Sequence, residues 1–161
     1  MLKRMCTLAC ILLLAIASNP IHAQTHAQQN DILLLLGDSL GAGYGVQREH
    51  SWSYLLNEKF RQQNRPVHIV NASISGDTSA GGLARLEWAL GTGVDGAIVA
   101  LGANDGLRAL DPRVMEANLT AILDVLAARN IPVLLTGMIA PPNLGQEYGQ
   151  AFYDVYRRLA A

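Results

Sequence analysis

The chain of 161 residues has room for one globular domain and little more. Half of its residues are hydrophobic, 16% are charged, and the formal net charge is −1 at pH 7. This balance predicts a compact protein and lacks the excess of Lys and Arg expected of a nucleic-acid binder, so we expect no nucleic-acid partner.

The first 23 residues have the layout of a secretory signal peptide. A positively charged start precedes an unbroken apolar run from Leu8 to Ala17, and small residues lead to a cleavage site after Ala23. The alternative is an uncleaved membrane anchor, but this run is about half of the ~20 residues that a spanning helix needs. We therefore expect residues 1–23 to be removed, the mature protein to be periplasmic or secreted, and no stable membrane span to remain.

Both cysteines, Cys6 and Cys10, lie in this first segment. The stretch from Thr7 to Cys10 resembles a lipoprotein cleavage box, but it precedes the apolar run instead of following it. The mature chain would then have no cysteine, which excludes disulfides and any thiol-redox or thiolate-metal role.

Residues 24–30 are predicted to form a loose polar leader, and residues 31–161 the single domain. Short apolar runs predict buried strands, and longer stretches with apolar residues at helical spacing predict helices between them. The predicted strands are Ile32 to Leu36, Val67 to Val70, Ala97 to Leu101 and Val133 to Thr136. Strands and helices that alternate in this way predict an α/β fold, with parallel strands and helices covering both faces of the sheet.

Each of the four predicted helices has its own signal. Ser51 can cap the first helix, whose Trp52, Leu55, Leu56 and Phe60 are predicted to share one face. The second helix is predicted over Ser79 to Leu90, and the third begins at Asp111 and Pro112. The apolar stripes of the last two helices are Met115, Leu119, Ile122, Leu123 and Leu126, then Tyr148, Phe152, Val155, Tyr156 and Leu159.

Three polar, glycine-rich segments follow the first three predicted strands. They are Gly37 to Tyr44, Asn71 to Thr78 and Gly102 to Asp105. Ligands of open α/β sheets bind beyond the carboxyl ends of the strands, so we expect these segments to converge on one crevice. Acyl transfer needs a nucleophile and donors for the developing oxyanion. Ser39 offers the hydroxyl, Gly76 an unobstructed N–H, and Asn104 a neutral amide donor.

Together the three segments resemble the sequence blocks of the SGNH, or GDSL, hydrolase family. Within it, the chain is most similar to the secreted bacterial group of acyl-thioesterases, lysophospholipases and arylesterases. Gly37-Asp38-Ser39-Leu40 is similar to the first block, Asn71 to Thr78 to the glycine block, and Gly102 to Asp105 to the asparagine block.

This resemblance implies a three-layer, flavodoxin-like fold and an acyl-enzyme formed on Ser39. The oxyanion hole would consist of the N–H groups of Ser39 and Gly76 and the side chain of Asn104. The resemblance implies no metal or other cofactor, and a small acyl ester or thioester as substrate. Asp38 and Asp105 are the expected supporting residues, and Asp38 either organises the site or only caps the loop.

The family's last block, Asp-x-x-His, supplies the catalytic base and has no counterpart in the chain. All four histidines precede the asparagine block, namely His22, His26, His50 and His68. His68 lies in a predicted strand, and His50 is the first candidate for a substitute base. We therefore expect the domain to be C-terminally incomplete, without the last strand and helix, and inactive as written. The strand from Val133 to Thr136 would be an unpaired apolar edge that invites aggregation and leaves the chain marginally folded.

Three other functions remain as alternatives. A non-catalytic acyl- or lipid-binding module would keep the crevice without turnover, and a carbohydrate acetylesterase would use the same nucleophile on acetylated sugars. Phosphate or dinucleotide binding ranks lowest, because Gly41 to Gly45 lacks the spacing of a dinucleotide fingerprint and the Lys of a P-loop. The stretch from Pro141 to Leu144 is the candidate wall of an acyl pocket.

Overall fold

The computed structural model describes residues 31–91 and 93–161. The predicted signal peptide and polar leader lie outside the described residues, and with them both cysteines, His22 and His26. Over the described part of the chain, no helix is both long and apolar enough to cross a membrane.

Four parallel strands form one sheet in the order β2-β1-β3-β4. They are β1 (Asp31–Gly37), β2 (Val67–Asn71), β3 (Gly96–Ala100) and β4 (Val133–Leu135). The register sets Leu35 beside both Asn71 and Ile98, so the carboxyl ends of β1, β2 and β3 lie next to one another. All four predicted strands are confirmed to within about one residue, because continuous apolar runs suit strands that are buried on both faces.

Six α-helices are present among the described residues. They are α1 (Ser39–Ala42), α2 (Trp52–Gln62), α3 (Ser79–Leu90), α4 (Ala103–Leu107), α5 (Pro112–Ala128) and α6 (Gln146–Leu159). The four predicted helices are confirmed, and two of the caps are as expected: Ser51 Oγ accepts from the N–H of Tyr54, and Asp111 accepts from the N–H of Arg113. The short helices α1 and α4 were not predicted, since four or five residues are too few to show a helical period.

Helices cover both faces of the sheet, as predicted. On one face α3, α5 and α6 pack against a core that includes Leu34, Leu36 and Val99. On the other face Leu56 and Phe60 of α2 pack against a smaller core. The polar segment from Gly37 to Tyr44 therefore leaves the sheet from β1, a central strand with packed side chains on both sides.

The predicted apolar face of α2 is buried only in part. Trp52 and Leu55 are 38% and 52% exposed, whereas Leu56 and Phe60 pack against the sheet as predicted. The buried stripe of α2 begins at Ser53, whose hydroxyl donates to the carbonyl of Gly41 at 3.2 Å and is buried there. Ser53 takes the buried position and the neighbouring Trp52 and Leu55 face solvent, which a hydrophobic period alone does not reveal.

β4 is a sheet edge, as expected, and its central side chain Leu134 is 61% exposed. We expect Leu134→Lys to slow aggregation several-fold, because a charge on an edge strand opposes pairing with another edge. Light scattering at 37 °C measures this rate, and the free energy of unfolding should change by less than about 0.5 kcal/mol. Val114→Lys, at a 55% exposed position on α5, is the matched control. Equal protection by both variants would mean that net charge, and not the β4 edge, controls aggregation.

Candidate active site

Asn104 brings the three predicted segments together. Its Nδ2 donates to the backbone carbonyl of Asp77 at 2.9 Å and lies 3.5 Å from Oδ2 of Asp38. Asp38 directly precedes Ser39, and Asp77 directly follows Gly76. The structure therefore places the segments that contain Ser39, Gly76 and Asn104 at one point beyond the carboxyl ends of β1, β2 and β3.

Ser39 is the first residue of α1, in the sharp turn that follows β1. Its side chain is half-buried, and backbone N–H groups in a first helical turn have no partner within the helix. Gly43 ends this single turn in the left-handed conformation, with φ of 76°. A side chain at Gly41 would overlap the Ser73 hydroxyl, so only a glycine lets α1 lie this close to the glycine segment.

Asp38 caps the loop, and its other carboxylate oxygen faces Asn104. Its Oδ1 accepts from the N–H of Leu40 at 3.0 Å, and its Oδ2 faces Asn104. The side chain is fully buried. Burial raises the pKa of Asp38, the Leu40 N–H opposes that effect, and the nearby carboxylates of Asp77 and Asp105 add to it.

The raised pKa of Asp38 makes stability depend on pH. In the folded protein the Asp38 carboxyl holds its proton more tightly than in the unfolded chain, where its pKa has the ordinary value of 3.8. Above pH 3.8 the folded protein therefore binds more protons than the unfolded chain. The free energy of unfolding contributed by Asp38 therefore falls as the pH rises from about 4 through the folded pKa. We expect Asp38→Asn to remove this slope, as measured by urea midpoints between pH 4 and pH 7. Asp124→Asn, on the exposed side of α5, should keep it; an unchanged slope in Asp38→Asn would contradict the assignment.

Position 76 needs a glycine because of its backbone conformation, and not because a side chain would lack room there. Its φ is 88°, a conformation that other residues adopt only with strain. An added Cβ would meet only Arg108 Nη2 at 3.8 Å, an ordinary contact distance. The same Arg108 Nη2 donates to the Gly76 carbonyl at 2.8 Å. Arg108 lies at the end of α4, the helix that contains Asn104, and thus holds the Gly76 peptide in place.

Asp105 supports the site from within the core. Its Oδ2 accepts from the backbone N–H of Ser79 at 2.8 Å, and its Oδ1 accepts from the Ser79 hydroxyl at 2.6 Å. Asn118 of α5 donates to the same hydroxyl at 3.0 Å. These bonds join the start of α3 to α4 and α5, and thereby fix the helix that contains Asn104.

Arg85 is a site-organising residue that sequence reasoning missed. Its guanidinium donates to the carbonyl of Gly37 at 3.0 Å, to the carboxylate of Asp77 at 2.6 Å and to the carbonyl of Ala72. The side chain is 13% exposed. Arg85 lies on α3, whereas Asp77 precedes that helix, so no helical spacing in the sequence identifies this contact.

Tyr156 of α6, predicted only as a core residue, also supports the asparagine segment. Its hydroxyl donates to the carbonyl of Leu101 at 2.9 Å, next to Gly102. Burial is the main cause that raises the pKa of Tyr156, so the hydroxyl stays protonated and remains a donor.

Neither described histidine hydrogen-bonds to Ser39. His50 is an exposed residue in the short 3₁₀ turn Arg48–His50. His68 lies in β2 and lines a groove against α2, together with Arg48 and Tyr54. His50 is the first candidate from the sequence for a substitute base, and none of its described contacts sets it beside Ser39.

Exposed apolar side chains accompany all three polar segments. Leu40 and Ile74 lie within the first two segments, Leu107 follows the third, and they are 59%, 48% and 69% exposed. The predicted pocket wall forms the 3₁₀ turn Pro142–Leu144, and the preceding Pro141 lies against Gly106 of α4. A serine hydroxyl, backbone and amide donors and an apolar rim are together suited to bind an acyl group and the oxyanion formed from it.

The described residues contain no group of three or more His, Cys, Asp or Glu side chains placed to hold a metal ion. The carboxylates of Asp77 and Asp105 are instead bound by protein donors, from Arg85 and Ser79 respectively.

Comparison with known proteins gives a consistent result. Residues 35–161 match the model of the GDSL-like lipase/acylhydrolase family. An arylesterase of Vibrio mimicus is 41% identical, over 83% of this chain and 68% of the relative. Thioesterase 1/protease 1/lysophospholipase L1 of Escherichia coli K12 is 44% identical, over 81% of this chain and 62% of the relative. The crystal structure of AlinE4, an SGNH-hydrolase family esterase, superposes with a TM-score of 0.78 at 43% identity, covering 82% of this chain and 71% of that one.

Proposed function

Since the chain belongs to the GDSL-like lipase/acylhydrolase family, we propose that residues 31–161 form the nucleophile and oxyanion site of a serine hydrolase for esters and thioesters. The substrates are of the arylesterase, acyl-thioesterase or lysophospholipase type. The chain spans 62% of the length of the Escherichia coli relative and 68% of that of the Vibrio mimicus relative, so its own activity is part of this proposal.

In the proposed reaction Ser39 Oγ attacks the acyl carbon, and its proton passes to a base. The carbonyl oxygen becomes an oxyanion, held by the N–H groups of Ser39 and Gly76 and by Asn104 Nδ2. Collapse of this intermediate expels the alcohol or thiol, which takes up the proton, and water then hydrolyses the acyl-enzyme.

The observation that supports this proposal is the position of Asn104. One of its two amide hydrogens is engaged by the Asp77 carbonyl at 2.9 Å, whereas the contact with Asp38 at 3.5 Å is long. The second hydrogen is thus weakly bound and is available for an oxyanion between Ser39 and Gly76. Asp38, Asp105 and Arg85 hold the surrounding segments, so this donor is preorganised before substrate arrives.

Turnover by this chain is proposed to be slow. A serine hydroxyl is a weak nucleophile at neutral pH until a neighbouring base removes its proton. Within residues 31–91 and 93–161, neither His50 nor His68 makes that contact with Ser39.

The test is the effect of Asn104→Ala on residual hydrolysis of p-nitrophenyl butyrate. Loss of one oxyanion donor should lower the rate above buffer by about 100-fold or more. Gln62→Ala, which removes an exposed amide side chain at the end of α2, should have no effect. Circular dichroism confirms that both variants are folded. Equal rates for Asn104→Ala and the parent chain would reject the oxyanion role.

Acyl binding without turnover is the second candidate, and the exposed apolar rim of Leu40, Ile74 and Leu107 favours it. A fluorescent fatty acid should then bind to the folded chain with no ester hydrolysis above buffer. Leu107→Ser should weaken binding about tenfold, because it removes one large apolar contact. A chain that hydrolyses esters through Asn104 rejects this candidate.

We also propose that the protein is exported to the periplasm or beyond, with cleavage after Ala23. The supporting features are the positive start and the apolar run of the first segment. Mass spectrometry of the exported protein should give a chain that begins at Gln24.

A further inference from the structure

Four exposed apolar side chains lie next to the nucleophile segment. Tyr44 is 80% exposed, Val46 and Leu55 are each 52% exposed, and Trp52 is 38% exposed. We call these four residues the interfacial patch. With Leu40 they make up five of the fourteen large exposed hydrophobic residues in the described chain, all within the stretch from 40 to 55. Single exposed hydrophobic residues are ordinary on protein surfaces, whereas a concentration of this kind indicates a binding surface.

The patch is continuous with Leu40, the residue after Ser39. The indole N–H of Trp52 donates to the Leu40 carbonyl at 2.9 Å, and Leu55 lies one helical turn beyond Trp52 on α2. Val46 donates its N–H to the Gly43 carbonyl at 3.2 Å, in the loop that leaves α1. The aromatic and aliphatic groups therefore border the crevice and are not spread over the molecule.

Basic residues outnumber acidic ones in the stretch of sequence that contains the interfacial patch. Residues 44–68 contain Arg48, Lys59, Arg61 and Arg65 against Glu49 and Glu58, four basic groups to two acidic ones, in a chain of net charge −1. Glu58 is already bound by Arg61 at 2.6 Å. Arg48 lies 5.9 Å from the centre of the Tyr54 ring, and both line a groove of about 580 Å³ between α2 and β2.

We propose that the interfacial patch docks this protein on phospholipid surfaces that carry anionic head groups. The inference rests on the proposed acyl hydrolase function, because it names the surface on which the protein would meet its substrate. Tyrosine and tryptophan favour the boundary between head groups and acyl chains, and arginines beside them attract anionic lipid. Docking here would set the opening beside Ser39 against the lipid surface.

Trp52 makes docking measurable without any turnover. The chain has two tryptophans, and Trp88 is 79% exposed on α3. Trp88→Phe therefore leaves Trp52 as the only reporter, and Trp52→Phe leaves Trp88 as its matched control. The experiment uses residues 24–161, which contain the whole described fold and omit the apolar run that would itself enter lipid.

Vesicles of equal phosphatidylglycerol and phosphatidylcholine should shift the Trp52 emission to the blue in a saturable manner. Phosphatidylcholine alone should bind less, and salt should weaken binding to the anionic vesicles. The Trp88 reporter should not shift. Tyr44→Ser with Val46→Ser should weaken binding at least tenfold, and Arg48→Gln about fivefold. Val114→Ser with Tyr153→Ser, at comparably exposed positions on α5 and α6, should leave binding unchanged.

Three outcomes would overturn the proposal. They are a Trp52 emission that anionic vesicles do not change, equal weakening by the Val114 and Tyr153 changes, and a Trp52 shift that follows protein concentration without lipid. The last would identify a second copy of the chain as the occupant. Failure of the hydrolase proposal is distinguishable, because Asn104→Ala should abolish residual hydrolysis and leave vesicle binding intact.

Discussion

The chain from Gln24 onward is expected to hydrolyse p-nitrophenyl butyrate with a turnover number about a million-fold below that of its Escherichia coli relative. Loss of the catalytic histidine has an effect of this size in serine hydrolases. The described histidines of this chain are His50, exposed in a 3₁₀ turn, and His68, which lines a groove against α2, so Ser39 has no described partner to take its proton.

Ser39→Ala should then change the residual rate by no more than about threefold. Without a base the hydroxyl hardly reacts, and what remains comes from substrate binding and the oxyanion donors, about a thousand-fold over water. Steady-state assays of the parent, Ser39→Ala and His50→Ala under the same conditions decide the matter. A rate within a hundred-fold of the relative, abolished by Ser39→Ala and also by His50→Ala, would identify His50 as the base and contradict this expectation.

Gly102→Ala should destabilise the protein by about 3 to 5 kcal/mol and lower the melting temperature by roughly 10 °C. Gly102 has φ of 116°, which strains any other residue. A Cβ there would overlap the Tyr156 hydroxyl oxygen and lie 3.1 Å from Met115 Sδ. Both neighbours are buried, so neither moves without disturbing the core behind Asn104. Urea unfolding measures the loss.

Gly145→Ala separates the two causes. Gly145 also has a positive φ, of 86°, but an added Cβ meets nothing within 4 Å, so only backbone strain of about 1 to 3 kcal/mol is expected. Tyr156→Phe removes the overlapping oxygen, and we expect Gly102→Ala to cost less in that background than in the parent. Equal losses for Gly102→Ala and Gly145→Ala would show that the contact with Tyr156 contributes nothing.

The sequence alone predicted the strands, the longer helices and the residues that converge on the crevice. Runs such as Leu33 to Leu36 are apolar on every residue, and a short run of this kind followed by glycine is typical of a strand covered on both faces. Pro112 after Asp111 and Ser51 before α2 mark helix starts for local reasons of hydrogen bonding. Parallel strands place their carboxyl ends together, so the sequence alone predicts that the three polar segments meet.

Tertiary structure alone decided how the site is held. The bonds from Arg85 to Gly37, from Asn104 to Asp77 and from Tyr156 to Leu101 join residues 48, 27 and 55 positions apart. Partners so distant leave no periodic trace in a single sequence. The exposure of Trp52 and Leu55 was likewise decided by the tertiary structure, because a hydrophobic period shows which residues share a helix face but not which way that face turns.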